Sequence, residues 1–483
     1  MTAMPLASRR FTAADQERFA LLSGDVNPMH MDASAARRLQ SGTAVVHGMH
    51  MVLWVLDTLA RTDVSIDALC SIQVRFKKFV CVDHQASVRV LSSTSHAMKL
   101  EIVADDVSCV SLTLKFGPRV AAPHDTIDAV DIVPQQQAMA RTLDQLHGSQ
   151  GWLVPPVDAR RLTTDAFPAA TRALGIERII ALTQLSTLVG MVCPGLHSIF
   201  SELDVNIVNI VPDARERAGI GYAASSVDAR FQLVTMTVDG SGISGDVIAF
   251  VRAEPVEPPS MASLTSRVIA GEFAGSVALI VGGSRGLGAV TAKLIAMGGG
   301  RVIVTYARGA RDAEAIAADI VAERGRDACS TLQLDVTQHP LPDLTSAAGP
   351  ATHLYYFATP QIFRQKSDVY SAATFAEFAS VYLDGFCRVA EQLVGHVDGN
   401  ALRVLNPSSV AVTSRPKGIT EYAMAKAAAE LLSVDLVKRY PGLRIDTPRL
   451  PRILTDQTAT VSAVDSADAV ETMLPLVRSL HAP

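Results

Sequence analysis

Two groups of residues combine side-chain types and spacings that can do chemistry. The first is the short stretch Asp25-Val-Asn27-Pro-Met-His30, followed by His47-Gly48. A carboxylate and an imidazole held at one water can take a proton from it and return one to a neighbouring carbon. Adding water across the double bond of a 2-enoyl thioester, or removing it, requires both transfers. The enolate oxygen that develops needs a donor, and a free backbone N–H at a helix start provides one. Gly48 has no side chain, so a thioester carbonyl can approach closely. Taken alone, Asp25 to His30 reads equally well as a polar turn, since Asp, Asn and Pro all favour turns.

The second group begins with Gly282-Gly-Ser284-Arg285-Gly286-Leu287-Gly288, which follows the apolar run Val277-Ala-Leu-Ile-Val281 and opens a helical stretch. Glycines at these places allow a tight turn and let a dinucleotide pyrophosphate approach helix N–H groups. Strand, turn and helix in that order is the context the mechanism demands. Downstream lies Tyr422-Ala-Met-Ala-Lys426, with Ser409 thirteen residues before Tyr422 (422 − 409). Residues four apart share a helix face, which sets Lys426 beside Tyr422. A nearby ammonium lowers a phenol's pKa and makes it a usable acid at neutral pH. Ser409 can donate to a carbonyl being reduced. After the second strand, Val304-Thr-Tyr-Ala-Arg308 offers no acid for a ribose diol, while Arg285 and Arg308 are placed to meet a 2′-phosphate. NADP(H) is therefore expected over NAD(H); two solvated arginines are the alternative.

Composition narrows the class. The 483 residues are 48% hydrophobic and 19% charged, with a net charge of −5. That is ample for packed cores, and the lack of a basic block argues against nucleic acid as a partner. Cys70, Cys81, Cys109, Cys193, Cys329 and Cys387 are scattered without zinc spacing. No metal site is expected, and the thiols read as reduced. Cys193-Pro-Gly-Leu-His197 offers a thiol and an imidazole, but Pro and Gly there mark a helix end. The opening residues lack the apolar core of a signal peptide, and no apolar run approaches the ~18–20 residues that span a bilayer. The expectation is a soluble, cytoplasmic protein with no membrane partner.

Proline-rich stretches divide the chain into domains at 1–120, 151–255 and 275–483, with linkers at 121–150 and 256–274. In the first, Thr12 can cap a short helix that Gly24 ends, and His47 to about Arg61 is a longer helix with Met51, Trp54, Val55 and Leu59 on one face. Alternating runs at 71–76, 86–90, 99–103 and 110–114 predict strands with one buried and one wet face. The middle segment repeats this order in outline: a helix over 179–191, then strands at 198–208, 231–238 and 244–251. The last alternates strands at 277–281, 301–305, 330–334, 353–357 and 402–405 with helices, the signature of a parallel sheet covered on both faces.

The runs FTAADQERFALLSGDVNPMHMD, AVVHGM and IQVRFKKFV resemble the (R)-specific enoyl-CoA hydratases of the MaoC-like hot-dog family over roughly residues 9–116. By that resemblance Asp25 and His30 are the catalytic pair, Asn27 supports the loop and Gly48 donates to the thioester oxygen. The middle segment has no such motif. If it is also a hot dog, it is a silent copy that supplies the other half of an acyl tunnel. Residues 275–460 resemble the short-chain dehydrogenase/reductase family, nearest to 3-oxoacyl-thioester reductases. By that resemblance Tyr422 is the proton donor, Lys426 its partner and ribose ligand, and Ser409 the carbonyl anchor. The cofactor lies on Gly282, Ser284, Arg285, Gly286, Leu287, Gly288 and Arg308, with Asp335 and Val336 beside the adenine. Three departures stand out: Tyr356-Phe-Ala-Thr-Pro360 replaces the usual Asn-Asn-Ala-Gly, Tyr382 takes the place of a catalytic Asn, and Pro451-Arg452 replaces Pro-Gly.

The expected fold is an α+β double hot-dog followed by an α/β Rossmann-type, doubly wound parallel sheet. The expected function joins NADPH-dependent reduction of a 3-oxoacyl thioester to dehydration of the 3-hydroxyacyl product. Two alternatives remain: the reverse direction, or an active hydratase fused to a nucleotide-binding scaffold. The substrate is an acyl-CoA or an acyl carrier protein thioester, and homo-oligomers can form through the reductase domain.

Overall fold

The computed structural model describes residues 5–39, 41–119, 130–133, 136–209, 218–363, 369–395, 402–458 and 464–482. Residues 121–129 and 134–135 of the expected first linker lie outside them. The chain separates into two compact units that meet in sequence at Glu254 and Pro255.

The first unit runs β1 (Ala7–Arg10), α1 (Ala13–Ser23), α2 (Pro28–Met31), α3 (Ala33–Arg37), α4 (Gly48–Leu59), β2 (Leu69–Phe76), β3 (Gln85–Ser93), β4 (Ala97–Ala104) and β5 (Val107–Phe116). It continues β6 (Asp131–Ile132), β7 (Gln150–Leu153), α5 (Ala159–Ala166), α6 (Pro168–Leu174), α7 (Ile176–Thr187), β8 (Ser198–Ile207), β9 (Ile220–Asp228), β10 (Leu233–Gly240) and β11 (Ile243–Val251). One 11-stranded sheet takes the order β1-β3-β4-β5-β2-β8-β11-β10-β9-β7-β6. From the central antiparallel pair of β2 with β8, the strands run β5, β4, β3, β1 on one side and β11, β10, β9, β7 on the other. The two halves therefore repeat one strand order, with α4 and α7 in corresponding places.

Local rules account for the ends of α1. Thr12 accepts from the Asp15 N–H while the Asp15 carboxylate reaches back to the Thr12 N–H, and Gly24 closes the helix at φ 85°. Sequence reasoning gave α4 one buried face; the structure buries it nearly all round, because α6 and α7 also pack against it. The stretch from Asp25 to His30 is not wholly irregular either. Asn27 Oδ1 accepts the Met29 N–H and Pro28 sits in the first turn of α2, which places His30 on a short helix. In the second half α5 and α6 stand between β7 and α7, and Asp57 of α4 accepts the Ala169 and Ala170 N–H groups at the start of α6 at 2.8 and 3.0 Å.

The second unit contains α8 (Met261–Leu264), β12 (Val277–Val281), α9 (Gly286–Met297), β13 (Arg301–Tyr306), α10 (Ala310–Arg324), β14 (Cys329–Gln333), α11 (Leu344–Ala348), β15 (His353–Tyr356) and α12 (Ala372–Ala379). A π-helical turn, Ser380–Gly385, leads to α13 (Phe386–Val394). Then come β16 (Leu402–Leu405), β17 (Ser408–Ser409), α14 (Ala411–Ser414), α15 (Thr420–Arg439), β18 (Leu443–Asp446), β19 (Arg449–Leu450) and α16 (Ala469–His481). Six parallel strands lie in the order β14-β13-β12-β15-β16-β18. Alternate residues of β12 enter two separate cores, Ala278 and Ile280 one, Leu279 and Val281 the other. Burial on both faces is why this strand is apolar throughout. Among the described residues no single helix is long and apolar enough to cross a membrane.

Candidate active sites

In the first unit the sequence-proposed residues converge. One oxygen of Asp25 and one ring nitrogen each of His30 and His47 lie within 4.8 Å of one another. Asp25 is buried, and its Oδ1 accepts the Asn27 N–H at 3.1 Å while its Oδ2 accepts the Ser186 hydroxyl at 2.7 Å. Burial raises its pKa above the ordinary carboxylate value; the His30 charge and these two donors oppose the rise. His30 Nδ1 lies 2.7 Å from the Val45 carbonyl. A carbonyl only accepts, so Nδ1 carries the proton and the neutral ring leaves a lone pair on Nε2. Burial holds His30 below the ordinary histidine value against the pull of Asp25.

Gly48 begins α4, so its N–H has no acceptor within the helix. A Cβ there would meet Phe76 Cε1 at 2.8 Å, which explains the missing side chain. Sequence reasoning named His47 without giving it a role and missed Gln16, Ser186 and Gly190. His47 stacks on His30 with ring centroids 3.8 Å apart, faces Gln16 Oε1 through Nδ1 at 2.9 Å, and faces the Asp25 carbonyl through Nε2 at 3.1 Å. Its place before Gly48, and Gln16 as a polar residue on the inner side of α1, were the available signals. Ser186 and Gly190 lie far along the chain and carried none. Asn27 does support the loop, but through the second half: its Nδ2 donates to the Gly190 carbonyl at 2.6 Å. Cys193 and His197 sit beyond a helix end, as expected, and burial pushes the Cys193 thiol up to about 11, which disfavours the thiolate a nucleophile needs.

In the second unit the glycine turn has the geometry its sequence implies. Gly282 and Gly286 adopt φ of 77° and 54°, and a Cβ on Gly288 would lie 2.3 Å from the Gly282 carbonyl oxygen. Arg285 precedes α9 with no side-chain cap, so the first N–H groups of α9 point free at the turn, where Ser284 is buried and Leu287 half-buried. This cradle fits a pyrophosphate. Asp335 accepts from the Thr337 N–H and hydroxyl, shaping the turn after β14, and the carbonyl of its neighbour Val336 holds Arg388. Arg308 is exposed after β13. Arg285 is not the free cation that its position suggested: its Nη1 lies 3.9 Å from the buried carboxylate of Asp456.

The Tyr422 phenol and the Ser409 hydroxyl come together; β17 places Ser409 and α15 places Tyr422. The expected lowering of the phenol is replaced by the opposite. Burial raises Tyr422, and only the Ser409 hydrogen bond opposes it. Lys426 Nζ donates to the Pro407 carbonyl at 2.7 Å and lies 4.0 Å from the centre of the Tyr382 ring. Burial drives Lys426 down to about 7. The Tyr382 ring in turn packs edge-on to Tyr422, with centroids 6.0 Å apart.

Comparison with known proteins follows this division. Residues 3–109 match the family model described as MaoC like domain, and residues 276–447 match that described as short chain dehydrogenase. The chain is a fusion of these two families. It thus pairs a hot-dog domain with a Rossmann-like parallel sheet and combines two enzyme families. No curated protein matches significantly. Solved structures similar to the short-chain dehydrogenase half include a short-chain dehydrogenase/reductase from Serratia marcescens, at 20% identity over 44% of this chain and 92% of that one, TM-score 0.40. A short chain dehydrogenase from Burkholderia cenocepacia in complex with NADP is 24% identical over 43% of this chain and 91% of that one, TM-score 0.37.

The departures of the short-chain dehydrogenase half from its family are packed rather than vacant. Tyr356 is fully buried and donates to the Val381 carbonyl at 2.6 Å. A Cβ on Gly385 would meet its hydroxyl at 2.9 Å. Tyr382 shares a hydrogen bond with the Thr359 hydroxyl. The replaced segments are thus tied to each other beside Lys426.

Proposed function

We propose that the chain is a bifunctional acyl-thioester enzyme. It reduces a 3-oxoacyl thioester, carried by coenzyme A or an acyl carrier protein, to the 3-hydroxyacyl form with NADPH, and removes water to give the trans-2-enoyl thioester. The observation that carries the reading is that one chain holds both a carboxylate–imidazole pair beside a free helix N-terminus and a Ser–Tyr–Lys group downstream of a glycine cradle.

At the first site, Asp25 and His30 take the proton from Cα and return a proton to the departing hydroxyl, and hydration reverses these transfers. The Gly48 N–H is available to the thioester oxygen as it gains negative charge. At the second, Tyr422 gives its proton to the substrate oxygen, Ser409 donates to that same oxygen, and Lys426, one helical turn on from Tyr422, would hold the cofactor's ribose. A reduced nicotinamide dinucleotide held by Gly282, Ser284, Gly286, Leu287 and Gly288 supplies the hydride. Arg308 would meet a 2′-phosphate, with Arg285 shared with Asp456, and Asp335 and Val336 would lie beside the adenine. We read residues 1–120 as the active hot-dog domain and 151–255 as a degenerate second copy, a reading that the repeated strand order supports. The short-chain dehydrogenase half spans 275–483, and we place the protein in the cytoplasm.

A second reading has a specific observation behind it. The Lys426 ammonium is already engaged by Pro407 and Tyr382, and the phenol is raised rather than lowered. A domain of that kind can bind a nucleotide without turning over. Incubating the protein with NADPH and a panel of 3-oxoacyl thioesters, with products read by mass spectrometry, separates the two. Cofactor binding with neither a 3-hydroxyacyl nor a 2-enoyl product on any substrate contradicts the bifunctional reading.

A further inference from the structure

The second half of the first unit carries no Asp-x-Asn-Pro-x-His loop, yet it holds the Asp25 carboxylate directly. Ser186 lies at the end of α7, buried, and its hydroxyl donates to Asp25 Oδ2 at 2.7 Å. The helix then widens into a π-helical turn, Leu188–Val192, which contains Gly190. The Gly190 carbonyl accepts from Asn27 at 2.6 Å, and the Thr187 hydroxyl donates to the Ser23 carbonyl. A Cβ on Gly190 would lie 2.5 and 2.6 Å from the two carboxylate oxygens. We propose that Ser186 is a positioning residue for Asp25, supplied by the second half of the unit, with Gly190 as the clearance that lets the carboxylate reach it. This rests on the hydratase reading of Asp25.

Both oxygens of Asp25 are then fixed, Oδ1 by the Asn27 N–H and Oδ2 by Ser186, so the carboxylate has one orientation toward His30. The mirrored contact in the repeat shows how specific this is. There Asp57, near the end of α4, meets the opposite half, but it caps the start of α6 and pairs with Arg61. The titratable groups facing Asp25 are His30 from α2 and His47 from the start of α4, whose Nε2 is 3.9 Å from Oδ2. Burial holds both histidines below their ordinary value. From α7 and its π-helical turn, Ser186, Thr187 and Gly190 face the loop, none of them titratable. Ser186 is therefore a neutral donor that opposes the rise burial imposes on the carboxylate.

The test uses the full chain. The pH dependence of kcat/KM for hydration of a 2-enoyl thioester is measured for the unaltered protein and for Ser186→Ala. In parallel the Asp25 carboxyl carbon is titrated by NMR, assigned by its loss in Asp25→Asn. Loss of a hydroxyl bond to a buried carboxylate should move the acid limb and the NMR midpoint upward together, by about one pH unit, with kcat reduced about tenfold or more. Ser186→Thr, which keeps the hydroxyl, should restore both. If Ser186→Ala does not fold, Ser186→Cys, of similar size and a weak donor, should show the same upward shift. An unmoved midpoint in a folded variant overturns the proposal. A midpoint that moves in a protein with no hydratase turnover supports the positioning role and instead removes the hydratase reading.

Discussion

Replacing Lys426 by methionine should stabilise the second unit and change how its stability depends on pH. The side chain is 8% exposed, and burial brings its pKa from the ordinary 10.5 to about 7. The unfolded chain holds this proton up to about 10.5 and the folded chain only to about 7. Between these values unfolding takes up a proton, so this group makes stability rise with pH, by ~1.4 kcal/mol per unit. Below pH 7 the ammonium carries its full penalty, roughly 5 kcal/mol. Methionine has a similar volume and no charge. It also gives up the bond to the Pro407 carbonyl, about 1 kcal/mol, and the contact with the Tyr382 ring, about 1–2 kcal/mol. The net gain at pH 7 is then about 2 kcal/mol. Urea unfolding of both proteins at several pH values from 7 to 10 reads the effect, with the variant's advantage shrinking as pH rises. Parallel stability profiles for the two proteins would refute the argument, because they would mean that Lys426 does not titrate in this window.

Other perturbations follow from the same geometry. Gly190→Ala places a methyl against Asp25; hydration should fall at least about a hundredfold, and activity within tenfold of the original would show that the loop has room to spare. Gly288→Ala drives a Cβ into the Gly282 carbonyl, so NADPH binding followed by fluorescence titration should be lost while hydration persists; unchanged affinity would argue against the glycine cradle. NADPH should bind at least about tenfold more tightly than NADH, roughly 1.4 kcal/mol, and Arg308→Asp should shrink or reverse this. Equal affinities in the unaltered protein would sink the cofactor assignment.

What the sequence made legible were features set by neighbours in the chain. Thr12, Asp15 and Gly24 define α1 through contacts within a few residues. The apolar β12 and the glycines after it specify strand, turn and helix locally, and Asp25 and His30 lie close enough in sequence to be read as a pair. Contacts made by tertiary packing were not legible. Ser186 reaches Asp25 across 161 positions, and no local pattern distinguishes it from any serine on a buried helix. The phenol of Tyr422 was read with its helical neighbour Lys426 in mind, but the direction of its shift is set by burial in the fold, and the Lys426 ammonium is engaged by Pro407 and Tyr382. The pairing of Arg285 with Asp456 was hidden for the same reason.

The central claim is that two separate catalytic groups act in sequence on one thioester. Its most direct test is product analysis with NADPH and a 3-oxoacyl thioester for the unaltered protein, Asp25→Asn and Tyr422→Phe. The unaltered protein should yield the 2-enoyl thioester. Asp25→Asn should still oxidise NADPH and accumulate the 3-hydroxyacyl thioester, with dehydration reduced by about a hundredfold or more. Tyr422→Phe should leave NADPH untouched while still interconverting 3-hydroxyacyl and 2-enoyl thioesters. NADPH turnover unaffected by Tyr422→Phe, or dehydration unaffected by Asp25→Asn, would contradict the account.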